Sequence, residues 1–308
     1  MSDKWSTVGW QGVSLLVPPD WNLVAVSGEE AKGYFRVDSP DASAIEVRWE
    51  SLKEVPDVDA RIDGFLDALS SAAKKRKIPF SSKVKSRKQT QSEADHGGDS
   101  VGFTWKSDRQ AYGRMLYCGY CKRLVICQVV CGPKENLSGL SSRILASMCL
   151  HEDPGWNVWG LYDLHVPVPE SMRLKRQTLM SSFVELEFTG RGERLLIQRW
   201  GLAANTLLKK ASVEEWLAET YLPGIEGYRT TRTRRDEEHE SFVFEGARKG
   251  IRGAVMSVPM GLAGKPIPRA VDGCAWYCDV SNRIYAVRHY HSGSGQLGTV
   301  LREKIACH

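Results

Sequence analysis

"YCGYCKRLVICQVVC" (Tyr117–Cys131) lies over "YCDVSNRIYAVRHYH" (Tyr277–His291) when the chain is laid upon itself. Tyr117, Cys118 and Arg123 meet Tyr277, Cys278 and Arg283, while Cys121 faces Ser281 and Cys131 faces His291. Both stretches read as a short turn between two apolar strands, so one hairpin is present twice. The repeat extends well beyond the hairpin. With residue 5 over residue 156 and no gap, Trp5 meets Trp156, Gly9 meets Gly160 and Pro18 meets Pro169. In the same register Arg48 meets Arg199 and Trp49 meets Trp200. Val13, Leu15 and Val17 fall on Leu164, Val166 and Val168, one face of a strand with period two. Ile62, Phe65 and Leu66 fall on Val213, Trp216 and Leu217. A duplication of this length divides the chain into domains 1–152 and 153–308, with the boundary in "HEDPGW" (His151–Trp156), where charge, Pro and Gly separate two periodic regions.

Each copy reads alike. In the first, strands are expected near 12–17, 33–38 and 43–50, then a helix over about 58–75. Its stripe Ile62, Phe65, Leu66, Leu69 and Ala73 has helical spacing, and Asp57 stands ready as N-cap. In the second copy Ser212 and Glu215 have the spacing of a capping box. Three more strands follow near 99–106, 110–118 and 122–131, and a final helix carries Leu137, Leu140, Ile144 and Met148. Leu297, Val300, Leu301 and Ile305 repeat that stripe. Strands, one helix, more strands and one helix predict an α+β fold, an antiparallel sheet with packed helices in each of two tandem domains.

The order of elements, about 150 residues per copy, and the Pro-then-Trp corner of "VPPDWN" (Val17–Asn22) resemble the PsbP-like fold. That fold is shared by the photosystem II extrinsic subunit P, the Ran-binding Mog proteins and the DcrB-related proteins, some of which are chaperones for type VI secretion effectors. In the second copy Met172 replaces the corner Trp21. The resemblance implies a protein-binding tendency and carries no residue roles.

At 308 residues, 26% charged and a net charge of +5, the chain reads as a globular protein that tolerates an acidic partner without demanding one. "MSDKWSTVGWQG" (Met1–Gly12) lacks a basic-then-apolar signal, and no apolar run is long enough for a bilayer, so no membrane insertion is expected. A cytoplasmic location follows, with the eight cysteines reduced.

Cys118 and Cys121 have the spacing of a zinc knuckle, which needs four ligands. Cys131 is ten residues along an extended strand from Cys121, roughly 30 Å away, and cannot close the same site. A metal reading therefore recruits Cys274 or Cys278 from the other hairpin, with zinc as the cofactor. The plainer reading makes the shared cysteine a small apolar residue at a strand end. His289 and His291 alternate as HxH, a spacing able to ligate a transition metal or to form an ordinary polar strand face. Cys149 with His151, and Cys307 with His308, read as helix-end packing. "GSGQLG" (Gly293–Gly298) is a literal GxGxxG, but the chain offers no second parallel strand after it and no acidic residue about 20 positions on, so a strand-to-helix connection is the better reading. No GxSxG, HExxH or paired-carboxylate pattern occurs, and no enzymatic activity is expected.

Lys74, Lys75, Arg76, Lys77, Lys83, Lys85, Arg87 and Lys88 form a run of cations with no acid among them. Such a run suits a helix C-terminus and a protected edge strand, or a nucleic-acid backbone. Only Phe80 and Tyr228 supply aromatic rings near this region in the two copies, which weakens the nucleic-acid alternative. The second copy inserts an apolar, Gly/Pro-rich loop near 257–273, whose Met256, Met260, Leu262 and Ile267 are candidate partner-binding residues. The leading expectation is a non-enzymatic adaptor or chaperone for another protein, with nucleic-acid binding and metal binding as alternatives.

Overall fold

The computed structural model describes residues 5–85, 99–151, 154–236, 239–249, 268–293 and 295–307. The chain divides into two compact units, Met1–His165 and Val166–His308.

The first unit opens with β1 (Ser6–Trp10) and β2 (Val13–Val17), a hairpin closed by Gln11 and Gly12 in left-handed conformations. Next come β3 (Asn22–Gly28), β4 (Lys32–Asp38), β5 (Ala44–Ser51) and helix α1 (Val58–Lys75). After α1 the chain forms β6 (Ser81–Val84), β7 (Asp99–Lys106), β8 (Gln110–Cys118), β9 (Arg123–Cys131) and α2 (Ser138–Ala146). Strand β10 (Trp156–Leu161) returns to pair antiparallel with β1, Gly9 opposite Gly160. Seven strands form the main sheet in the order β3-β4-β5-β9-β8-β7-β6, every neighbour antiparallel.

β11 (Leu164–Pro169) straddles the division. The second unit continues with β12 (Arg173–Leu179), β13 (Phe183–Thr189) and β14 (Arg194–Gly201). A short helix α3 (Val213–Trp216) runs into a π-helical turn over Leu217–Tyr221. β15 (Tyr228–Asp236), β16 (Glu240–Arg248), β17 (Ala270–Cys278), β18 (Arg283–His291) and α4 (Leu297–Lys304) complete it. The sheet order is β12-β13-β14-β18-β17-β16-β15, the first unit's order with nine added to each label.

The expected α+β class is corrected: about half of the described residues are strand (50%) and only 18% helix, in three antiparallel sheets. The helical stripes do form helices, with Asp57 capping Ala60 N–H and the Ser212–Glu215 box present. They are outnumbered because each repeat holds strands that lack a sequence signal. β3 and β6 are edge strands with nearly every side chain exposed, so no apolar alternation marks them. In the second unit the expected long helix stops after one α-helical turn, ahead of Pro223 and Gly224.

Period two distributes each sheet between two cores. Met115 and Tyr117 of β8 join Val58, Ile62 and Leu66 of α1. Arg114 and Cys118 point the other way, where the Arg114 guanidinium donates to the Leu145 carbonyl at the end of α2. In the second unit Val271 and Ala275 of β17 pack with α3, whereas the Cys274 thiol donates to Gly298 O on α4.

The two sheets also reveal a slip in the repeat. Trp49 lies opposite Val125, but the residue opposite Tyr285, which is Val125's counterpart in the hairpin alignment, is Arg199. Arg199 thus takes the place of Trp49, and Trp200 lies on the other face, edge-on to Trp216 at 5.2 Å. The gapless match of Trp49 to Trp200 is therefore a match of letters across a one-residue shift, which in a strand exchanges faces.

Candidate metal centre

The β8–β9 hairpin ends with Cys118 opposite Arg123, and the turn between them brings Cys121 back towards Cys118. The third member arrives from a different part of the first unit. After α2 the backbone of Cys149 makes two hydrogen bonds with Ser14 of β2, at 2.8 and 2.9 Å, and this bridge delivers His151 to the hairpin end. His151 Nε2 lies 3.1 Å from Cys118 Sγ, and the Cys149 thiol donates to the His151 carbonyl at 3.1 Å. The Tyr120 ring covers the imidazole at 4.9 Å. The ligating atoms of Cys118, Cys121 and His151 all lie within 4.8 Å of one another.

The electrostatics follow from that closeness. The Cys118 thiol is pulled down to about 4, first because the Cys121 side chain donates a hydrogen bond to it, with a further contribution from His151, against the opposing effect of burial. The same contact pushes Cys121 up. The pair holds one proton between two sulfurs, an arrangement with a thiolate already formed.

The second unit builds a related cluster at the equivalent hairpin end. Cys278 closes β17 opposite Arg283 as Cys118 closes β8. With Ser281 in the turn, the other donors come from elsewhere: His239, just before β16, and Cys307, after α4. His239 Nε2 lies 3.1 Å from Cys307 Sγ, and the three donor atoms fall within 4.8 Å. Burial, and then Cys278, push the Cys307 thiol up to about 11. One cysteine at the hairpin end and one residue following the final helix are common to both clusters.

Each candidate from the sequence has a definite place or lies outside the described residues. Cys118 and Cys121 sit together, joined by His151, and Cys278 sits with His239 and Cys307. Cys274 faces α4 and is in neither cluster. Lys74 and Lys75 occupy the last turn of α1, and Arg76 is its C-cap residue, with its side chain ion-paired to Asp108 at 2.9 Å. Lys77 takes a left-handed conformation after the helix, Lys83 lies on the exposed edge strand β6 and Lys85 just follows it. Trp105 stacks on Phe80 beside this strand, 6.3 Å between ring centres. Arg87, Lys88, Met256, Met260, Leu262 and Ile267 lie outside the described residues. Sequence reasoning missed the roles of His151, His239 and Cys307. The available signal was the Cys/His ending of both copies, assigned instead to helix-end packing.

Fold and site together define a β-rich chain in which two seven-stranded sheets share one topology, each bearing a Cys/His cluster where its central hairpin ends. Comparison with family models and with curated proteins finds no match to either. Among the described residues no helix is long and apolar enough to cross a membrane.

Proposed function

We propose that this chain is a metal-binding protein that holds a zinc-type divalent ion through Cys118 Sγ, Cys121 Sγ and His151 Nε2. The observation that supports the reading is the convergence of two sulfurs and an imidazole nitrogen within 4.8 Å from a turn and a segment 30 residues further on. Thiolate and imidazole are the donors zinc prefers, and three of them leave one tetrahedral position for water or a fourth ligand. A divalent ion replaces the proton shared by Cys118 and Cys121, removing the mismatch between a buried thiolate and a half-buried thiol. Cys118 is 3% exposed, which favours a structural ion over a nucleophile that must reach a substrate. The ion ties the β8–β9 turn to the segment that β2 anchors. A reducing compartment such as the cytoplasm, expected from the sequence, keeps both thiols available.

The test is zinc content after purification under reducing conditions, in the parent chain and in Cys121→Ser. Loss of one equivalent in the variant, with an unchanged circular dichroism spectrum, supports the reading. Equal zinc in both proteins, or none in either after zinc loading, contradicts it.

A further inference from the structure

The second unit holds another cluster, made of different donors on the sheet face that α4 covers. Asp272 of β17 lies directly opposite His289 of β18, and His291 follows two residues on, so period two places all three on one face. All are deeply buried, at 5%, 2% and 5% exposed. Asp272 Oδ1 is 3.0 Å from His289 Nδ1 and 3.2 Å from His291 Nε2. The imidazoles stack at 4.9 Å, 11° from parallel. Asp272 Oδ2 accepts from Gly298 N–H at 2.8 Å. Glu193 Oε2 stands 3.6 Å from His289 Nε2 on the outer side of that ring.

We infer that Asp272, His289 and His291 form a site for a divalent first-row transition metal, coordinated through His289 Nδ1, His291 Nε2 and one carboxylate oxygen. Proton accounting carries the inference. Without an ion, Asp272 requires protons on His289 Nδ1 and His291 Nε2, because a carboxylate only accepts. Neutral rings then turn bare lone pairs outward at His289 Nε2 and His291 Nδ1, two buried nitrogens without hydrogen-bond partners among the described residues. The His289 lone pair also faces the Glu193 carboxylate, acceptor against acceptor. An ion among the three inner donors sends both protons to the outer nitrogens, and the gain lies at His289, since His291 Nδ1 has no partner among the described residues in either state. His289 Nε2–H then points at Glu193, the carboxylate–histidine–metal arrangement in which the outer carboxylate fixes the tautomer. The spacing suits this: the two edges from Asp272, 3.0 and 3.2 Å, subtend about 90–100° at an ion about 2.1 Å from each donor, angles compatible with octahedral or distorted tetrahedral coordination.

The loop over the cluster gives an independent reason for the glycines of "GSGQLG". An ideal Cβ on Gly295 would stand 3.1 Å from His289 Cε1, and one on Gly298 would stand 2.7 Å from Asp272 Oδ2. These glycines let the backbone cap the two histidines and the aspartate, a use unrelated to a dinucleotide. The first repeat has Tyr112, Val129 and Cys131 at the equivalent hairpin positions. The nitrogen–oxygen site therefore belongs to the second unit alone and differs in donor class from the sulfur-containing clusters.

The experiment uses the full chain carrying Cys118→Ser and Cys121→Ser, stripped with chelator and loaded with one equivalent of cobalt(II). X-ray absorption of the bound ion is expected to show a nitrogen/oxygen shell with imidazole scattering, and equilibrium dialysis is expected to show that His291→Gln in the same background releases it. The inference is overturned by failure to retain cobalt, by a shell that contains sulfur or lacks imidazole, or by undiminished binding in a folded His291→Gln chain. The absorption measurement leaves the triad intact, so it decides the question even where His291→Gln fails to fold. Because the Cys118/Cys121 site is removed from the outset, failure here is separate from failure of the zinc reading.

Discussion

Gly113 and Gly273 occupy the same place in the two sheets, and each lies beneath a phenylalanine on the neighbouring strand: Phe103 opposite Gly113, Phe244 opposite Gly273. Replacing Gly113 with alanine puts a methyl where the ring already is. An ideal Cβ would stand 2.1, 2.5 and 2.6 Å from three atoms of the Phe103 ring, more than 1 Å inside ordinary contact at its closest. The ring has nowhere to retreat, because Phe103 is 1% exposed, packed with Val58, Ile62 and Leu66 of α1, and edge-on to Phe65 at 5.6 Å. Overpacking of this kind costs about 1–3 kcal/mol, and displacing the aromatic pair adds about 0.5–1.5 kcal/mol. Alanine's advantage over glycine within a strand returns about 0.5–1 kcal/mol, for a net loss centred on about 2 kcal/mol within a range of about 0.5–4 kcal/mol. For a unit of this size that is a fall of about 3–10 °C in melting temperature. Calorimetry on the parent, Gly113→Ala, Phe103→Leu and the double variant closes a thermodynamic cycle. The smaller leucine side chain of the Phe103→Leu background should make the alanine tolerable, with a coupling of about 1 kcal/mol or more. A Gly113→Ala melting temperature within a degree of the parent, or purely additive effects, would refute the packing described for the α1 face.

Two further outcomes follow. In the metal-free chain the lowered pKa of Cys118 keeps its charged form present down to about pH 4, so a thiolate ultraviolet band should persist through pH 5 and vanish in Cys118→Ser; absence of any thiolate at pH 6 contradicts the Cys118–Cys121 geometry. Burial alone raises the Glu187 carboxyl, but the hydrogen bond from Lys175 and the charges of Arg194 and Arg176 outweigh it and hold the group below its usual value. Its stabilising contribution is therefore complete above the unfolded carboxylate range and is lost as pH falls through the lower folded value, from about pH 4.3 downward. Glu187→Gln should cost about 1–3 kcal/mol in urea titrations at pH 7 and flatten that acid limb, whereas an acid limb identical to the parent's would remove Glu187 from the account.

Much of the element order was legible because its signals occur twice in the sequence. The hairpin at 117–131 could be read over the one at 277–291, and the helix stripe of Ile62 and Leu66 over Val213 and Leu217. Amphipathic stripes identify helices regardless of their share of the chain, however, and an edge strand such as β6, exposed on both faces, offers no alternation to balance them. The one-residue slip between β5 and β14 was hidden by Arg-Trp occurring in both, and only the pairing partners on β9 and β18 expose it. The clusters were less legible than the fold. Cys118 and Cys121 announce themselves by spacing, whereas His151 reaches them through a backbone bridge to β2 that no local pattern encodes. His289 and His291 were visible as alternating residues, but Asp272 becomes their neighbour only when β17 and β18 pair in this register.

The central claim, an ion held by Cys118, Cys121 and His151, is tested most directly by anomalous diffraction at the zinc edge from crystals of the zinc-loaded chain. The account predicts an anomalous peak about 2.3 Å from both sulfurs and about 2.0–2.1 Å from His151 Nε2. A map without a peak at this hairpin end, or with Cys118 and Cys121 joined as a disulfide under reducing conditions, would contradict it.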